Sequence, residues 1–129
     1  MNQPATALPP LHDGFLRGFL VEDQRVRLFL HTVDGEPYTV TLADVRSFHV
    51  DGFAEGNIIL DCEVLPAADV STDVLVSLNH GGTRNEAIEQ LCALVENGTH
   101  SVFRIFPSYG ATVVALFKTF TVSSGIPSA

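Results

Sequence analysis

Residues 24–42 read QRVRLFLHTVDGEPYTVTL. Successive side chains of a strand point to opposite faces, so Val26, Leu28 and Leu30 share one side and Arg25, Arg27, Phe29 and His31 the other. Beyond the hairpin signal Asp34-Gly35, Tyr38, Val40 and Leu42 share a side against Thr39 and Thr41. The same stretch sets its own register. A two-residue Asp-Gly turn would pair Val33 with Glu36, Leu30 with Thr39 and Leu28 with Thr41, leaving the two apolar sets on opposite faces. A three-residue loop, Val33-Asp34-Gly35, pairs Leu30 with Tyr38 and Leu28 with Val40 and puts Gly35 in the left-handed position of a bulged turn. A slip of one residue exposes a whole apolar face, so the three-residue loop is expected.

Outward from this hairpin the alternation extends from Phe15 to Leu65, gives way to helical spacing from Thr83 to Asn97, and returns from Ser101 to Val122. Strands are expected at Phe15–Val21, Gln24–Thr32, Glu36–Leu42, Val45–Asp51 and Asn57–Leu65. In the fourth, Phe48 and Val50 oppose His49 and Asp51; in the fifth, Ile58, Leu60, Cys62 and Val64 point inward and Asp61 and Glu63 outward. Pro66 ends that strand because it has no N–H for a ladder. Val70–Leu78 reads as a short strand or an irregular cover.

Thr83 and Glu86 form a capping box, Ile88, Leu91, Cys92 and Val95 make an apolar helical stripe, and Asn97-Gly98 offers a stop. Strands follow at Ser101–Phe106 and Thr112–Val122, joined by the turn Pro107-Ser108-Tyr109-Gly110. The last has Val114, Leu116, Phe120 and Val122 on one face, yet Val113, Ala115 and Phe117 on the other. A strand apolar on both sides is central, or covered on both sides, for example by a second chain. The expected fold is α+β: a strongly bent antiparallel sheet or partly closed β-roll of about six to eight strands with one helix packed on it. One domain spans residues 11–122, flanked by flexible tails at 1–10 and 123–129.

A chain of 129 residues buries roughly two-thirds of its unfolded surface and needs no metal or disulfide to fold. With 46% hydrophobic residues it is not disordered, and nine Phe with no Trp suggest a Phe-rich core. Fifteen acidic side chains against seven basic give a net charge of −8, which repels nucleic acid. The acidity is dispersed, a solubility feature first and a hint of a basic partner second. Residues 1–10 carry neither the positive charge nor the apolar run of a signal peptide, and no stretch has the length of a membrane span, so a cytoplasmic protein is expected. Cys62 and Cys92 fall on apolar stripes and read as buried free thiols.

Several polar groups bear on chemistry. His12-Asp13-Gly14 could pair an acid with a base, but adjacent side chains seldom aim at one proton, and a turn with Asp13 bonded to nearby N–H groups fits better. His49 and Asp51, two apart on a strand, project from one face and could hold a metal or orient a base. The five histidines show no His-x-x-x-His and there is no Cys-x-x-Cys, so a solvated polar face is preferred and neither metal nor cofactor is expected. Ser108 and Tyr109 lie in a strand–turn–strand setting, not in a nucleophile elbow.

Asn79-His80-Gly81-Gly82 lacks the Lys and the length of a phosphate loop. Arg25 and Arg27 beside Phe29 and His31 suit a surface for carboxylates or a peptide, or simply a solvated strand face. No convergent acid–base–nucleophile set emerges, so the chain is not expected to be an enzyme. His12, Asp13, His49, Asp51, Ser108 and Tyr109 remain as binding residues.

Three segments together carry a resemblance. They are Leu11-His12-Asp13-Gly14; Val45 followed by Phe53 to Ile59 with Gly56-Asn57-Ile58-Ile59; and Phe-Arg-Ile-Phe-Pro-Ser-Tyr-Gly-Ala-Thr-Val-Val-Ala from Phe103 to Ala115. The chain resembles small bacterial β-rich domains of unknown function, among them immunity proteins of polymorphic toxin systems such as the immunity protein 50 family. The resemblance implies a bacterial, non-enzymatic chain that binds a protein, and it carries no catalytic residues. The leading expectation is thus an interaction protein with a protein partner or with itself as a homodimer. The alternative is a small-ligand binder with an aromatic-lined pocket on the concave face of the sheet.

Overall fold

The computed structural model describes residues 8–70 and 92–126. The described chain is mostly β: β1 (Phe15–Glu22), β2 (Arg25–His31), β3 (Pro37–Ala43), β4 (Ser47–Asp51), β5 (Asn57–Leu65), β6 (Ser101–Tyr109), β7 (Thr112–Phe117) and β8 (Thr119–Ser124). All pair antiparallel in one open sheet of order β4-β7-β6-β5-β1-β2-β3-β8. Helical structure among the described residues amounts to a 3-10 turn, Ala67–Asp69, and one α-helical stretch over 92–96. The expected α+β class is corrected to a mainly β one. Thr83, Glu86, Ile88, Leu91, Asn79-His80-Gly81-Gly82 and most of the Val70–Leu78 segment lie outside the described residues.

The hairpin register is the expected one. Val26 faces Leu42, Leu28 faces Val40 and Leu30 faces Tyr38. Gly35 has φ +86°, and Gly35 N–H donates to Thr32 O at 2.9 Å. The β1–β2 turn is tighter: Glu22 faces Arg25, and Asp23 and Gln24 both take positive φ, the geometry of a type I′ hairpin.

β7 passes into β8 through Lys118 alone, although β8 is one edge of the strand order and β7 lies next to the other. β3 passes into β4 through residues 44–46 in the same way. The β3–β8 and β4–β7 ladders are therefore one long pair carried across a bend. Ala43 faces Thr119 before it and Ser47 faces Leu116 after it. Arg46 N–H donates to Leu116 O at 2.8 Å and Lys118 N–H to Ala43 O at 3.1 Å, which holds the corner. Such connections require the sheet to curl back on itself. Lys118 also inverts the face pattern: Val113, Ala115 and Phe117 point into the core, and beyond the corner Phe120 and Val122 do. The expected single strand with Val114, Leu116, Phe120 and Val122 on one face is thus two strands with opposite parity.

The main core holds Leu16, Val26, Leu28, Leu30, Val40, Leu42, Ile59, Phe103 and Phe117, among others. A second cluster lies on the outer side of β6 and β7, where Val102, Val114 and Leu116 are buried under Val95, Cys92, Leu94, Leu65, Ala67 and Val70. The apolar surplus of β7 is covered by the chain itself. The covering helix ends as Asn97-Gly98 suggested. Gly98 N–H donates to Val95 O at 2.9 Å, Thr99 N–H reaches Leu94 O at 3.4 Å, and Gly98 has φ +74°, a Schellman termination.

Two boundaries move. β8 runs to Ser124 and Gly125 N–H donates to Pro37 O at 2.8 Å, so the ordered domain extends past residue 122 into the stretch expected as a tail. Leu8, within the stretch expected as a tail, packs on the main core.

Candidate interaction surface

β5 does not alternate as simply as its sequence. Ile59, 1% exposed, points into the core with Cys62 and Val64, whereas Leu60 is 47% exposed. The expectation of Ile58 and Leu60 inward is corrected by two irregularities: the pairing with β6 skips Leu60 on β5 and Ser108 on β6. The two bulges cancel, so the ladder from Asp61–Phe106 onward recovers the register of Ile58–Tyr109.

The segment before β1 locks onto this irregular stretch. Asp13 N–H donates to Ile59 O at 2.8 Å, and Ile59 N–H donates to Gly14 O at 2.9 Å. The bend was expected at Gly14, yet Asp13 takes the positive φ (+63°). Gly14 is needed for space, because a Cβ there would overlap the His31 carbonyl oxygen. His12 Nδ1–H donates to Leu60 O at 2.6 Å, and Nε2 lies 3.5 Å from Asp13 Oδ2. The two adjacent side chains do meet, contrary to the turn-only reading. Both are exposed, and Nδ1 is committed to the main chain. The pair pins a bulge rather than presenting a free base to a cleft.

Ile58 faces away from the core, and its cross-strand partners on either side are Phe15 and Tyr109. Directly opposed residues share a face, so Phe15, Ile58 and Tyr109 form an apolar row across β1, β5 and β6 on the outer side. Tyr109 is 57% exposed and Phe15 36%. Phe106, also 36% exposed, continues the patch and carries the Arg104 guanidinium 4.8 Å above its ring. Arg104 in turn pairs with Glu63, which neutralises it. Asp61, opposite Phe106, and Asp13 are exposed acids beside the patch. His12, Asp13, Ser108 and Tyr109, four of the six expected binding residues, thus flank one stretch of β5. Leu60, Phe15 and Phe106 were not singled out by sequence, and the bulge that exposes Leu60 left no local signal.

His49 and Asp51 share the outer face of β4 as expected, opposite Val114 and Thr112. β4 is an edge strand separated from β6 by β7, and its two polar residues do not join the patch. Among the described residues no three His, Cys, Asp or Glu side chains gather where a metal could bind. Cys62 and Cys92 are free and partly buried. Burial, reinforced by Asp61 and Glu63, pushes the Cys62 thiol up to about 12, which leaves it without nucleophilic character at neutral pH.

At the end of the core face Phe19 meets Phe48 and Phe53 edge-on, with ring centroids 5.3 and 5.5 Å apart. The neighbouring hollow, lined by Val21, Val26, Val45 and Phe48, measures about 190 Å³. No helix among the described residues is long and apolar enough to cross a membrane. No protein family, curated protein or solved structure matches the chain.

Proposed function

We propose that this chain is a cytoplasmic, non-catalytic protein-binding domain that docks a basic partner on the outer face of β1, β5 and β6. The observation that carries this reading is the Phe15–Ile58–Tyr109 row, extended by Leu60 and Phe106 and edged by Asp13 and Asp61. Aromatic side chains are enriched at contact surfaces relative to the rest of the protein surface, and a contiguous exposed apolar patch marks such a surface. A net charge of −8 favours a positively charged partner over a second acidic copy. The likeness to bacterial immunity proteins points the same way, toward a basic toxin as partner. The homodimer reading loses its original motive, because Val95, Cys92 and Leu94 cover β7. We take the architecture behind this face to be a partly closed roll, with the 92–96 helix on its outer side.

The test is capture of partners from the native cell on immobilised chain, followed by mass spectrometry. A stoichiometric protein should be retained by wild type and lost by Tyr109→Asp and Phe15→Asp, with unchanged thermal unfolding of both variants. Recovery of the chain alone, or equal retention by the variants, would sink the proposal.

The aromatic trio supports a second reading, a small apolar ligand beside Phe48. That hollow is below the roughly 300–1,000 Å³ typical of ligand pockets, so this reading ranks lower. Thermal stabilisation of wild type but not of Phe48→Ala by an apolar metabolite would revive it.

A further inference from the structure

The outer face of β2, β3 and β8 continues the sheet beyond the docking patch, past the Phe15–His31 pair, and carries the arginines that the sequence had flagged. Arg27 stands opposite Thr41, and Thr41 opposite Thr121. In the next row Phe29 stands opposite Thr39, and Thr39 opposite Ser123. The end of β8 folds over this surface: Thr39 Oγ1–H donates to Gly125 O at 2.7 Å. The result is a hollow of about 380 Å³ lined by Arg27, Thr39, Thr41, Ser123, Gly125 and Ile126, among others. Arg27 is half-buried there and forms no ion pair with a described residue. Glu22 and Asp23 line a smaller hollow of about 150 Å³ on its other side, without pairing with it.

We propose that this hollow binds a small oxyanion carried on a hydroxylated molecule, a sugar carboxylate or a sugar phosphate. The guanidinium fork of Arg27 supplies paired donors to the anion, a geometry matched to both carboxylate and phosphate. The Thr41 and Ser123 hydroxyls donate and accept, which suits the hydroxyls of a polyol. Thr39 has its proton committed to Gly125, so its oxygen acts as an acceptor. Ile126 gives the carbon skeleton an apolar lip. The volume falls within the usual range of roughly 300–1,000 Å³ for a ligand site.

The experiment titrates the isotope-labelled full chain with glucuronate, glucose 6-phosphate, glucose and inorganic phosphate at fixed ionic strength, read by amide chemical shifts. At least one sugar anion should give saturable shifts at Thr39, Thr41, Ser123 and Gly125, and the stronger of the two tells carboxylate from phosphate. Glucose and inorganic phosphate should each bind about tenfold more weakly or worse. Arg27→Gln should weaken binding about tenfold or more, as expected for loss of a charge-assisted fork. Lys118→Gln, which removes the same charge at the β7–β8 corner, should leave binding unchanged. Should Arg27→Gln not fold, Arg27→Lys keeps the charge, loses the fork and should still weaken binding. Absence of saturable shifts at those amides overturns the proposal. So does equal binding of glucose or of inorganic phosphate, or an equal loss in Lys118→Gln.

Discussion

Asn57 shows what one buried side chain does for this molecule. It is 1% exposed and fully satisfied. Its Oδ1 accepts from Ala54 N–H at 2.8 Å and Ala111 N–H at 3.0 Å, and its Nδ2 donates to Leu16 O at 3.2 Å and Ala54 O at 2.6 Å. The amide ties the 52–56 loop, β1 and the β6–β7 turn together, and Gly110 packs so closely that a Cβ there would meet Asn57 Cα at 3.1 Å. Asn57→Leu should cost about 2–4 kcal/mol, because it strands several buried backbone groups at once. Urea unfolding reads this as a lower midpoint at unchanged slope. His100 is the second such residue. It is 4% exposed, its Nδ1 lies 2.8 Å from Thr99 Oγ1, and that hydroxyl gives its own proton to Leu94 O, so the ring nitrogen must be the donor. Burial, then Lys118 and Arg46, hold its pKa below the usual imidazole value, against the pull of Asp44. An unfolded imidazole titrates near about pH 6.5, so as pH falls the unfolded chain takes up the proton first. The His100 contribution to stability is complete above that pH and is lost below it, until the folded imidazole itself titrates. His100→Asn, which keeps a donor toward Thr99, should flatten the fall in melting temperature between about pH 7 and pH 5.5. A slope equal to that of wild type would contradict this. Neither residue was legible in the sequence, where one Asn at a strand start and one His before a strand look like surface groups.

At the scale of elements, the hairpin and the corners obey different rules. The β2–β3 hairpin was readable because alternation and the Asp34-Gly35 signal lie within one short stretch and burial penalises every other register. The end of the 92–96 helix was readable for a similar local reason, since Gly98 alone takes the left-handed conformation at no steric cost. The bulges at Leu60 and Ser108 and the corner at Lys118 were not. Each inserts one residue whose accommodation depends on the partner strand, not on its own neighbours. Insertion of one alanine between Lys118 and Thr119 tests this directly. With the corner held by the Arg46 and Lys118 N–H bonds, it would shift Phe120 and Val122 by one position along β8 and turn them away from the core. At roughly 1.5–3 kcal/mol for each large apolar side chain, the loss should reach about 3–6 kcal/mol. Calorimetry should show loss of the cooperative unfolding transition. An insertion variant that unfolds as wild type does would mean that the corner does not set the face pattern.

For the whole molecule, charge and surface together make the functional argument. A protein of net charge −8 that presents an apolar outer face should meet a basic partner by electrostatic steering and hold it by apolar contact. Raising the salt from about 50 mM to 500 mM, which shortens the Debye length several-fold, should therefore slow association much more than dissociation. Surface plasmon resonance with the captured partner separates the two rates, and salt-insensitive association would exclude steering. The amino-acid sequence alone determined the alternating strands, the three-residue hairpin, the helix stop, the acidity and the six polar candidates. All of these depend on nearest neighbours or on totals. Only the tertiary structure decided that β7 is covered by its own chain, that His12 reaches Leu60, that four of the candidates flank one stretch of β5, and that Arg27 and residue 125 line one open hollow. Those outcomes join residues tens of positions apart. Their energies come from burial and hydrogen bonds shared between strands, which no local period encodes.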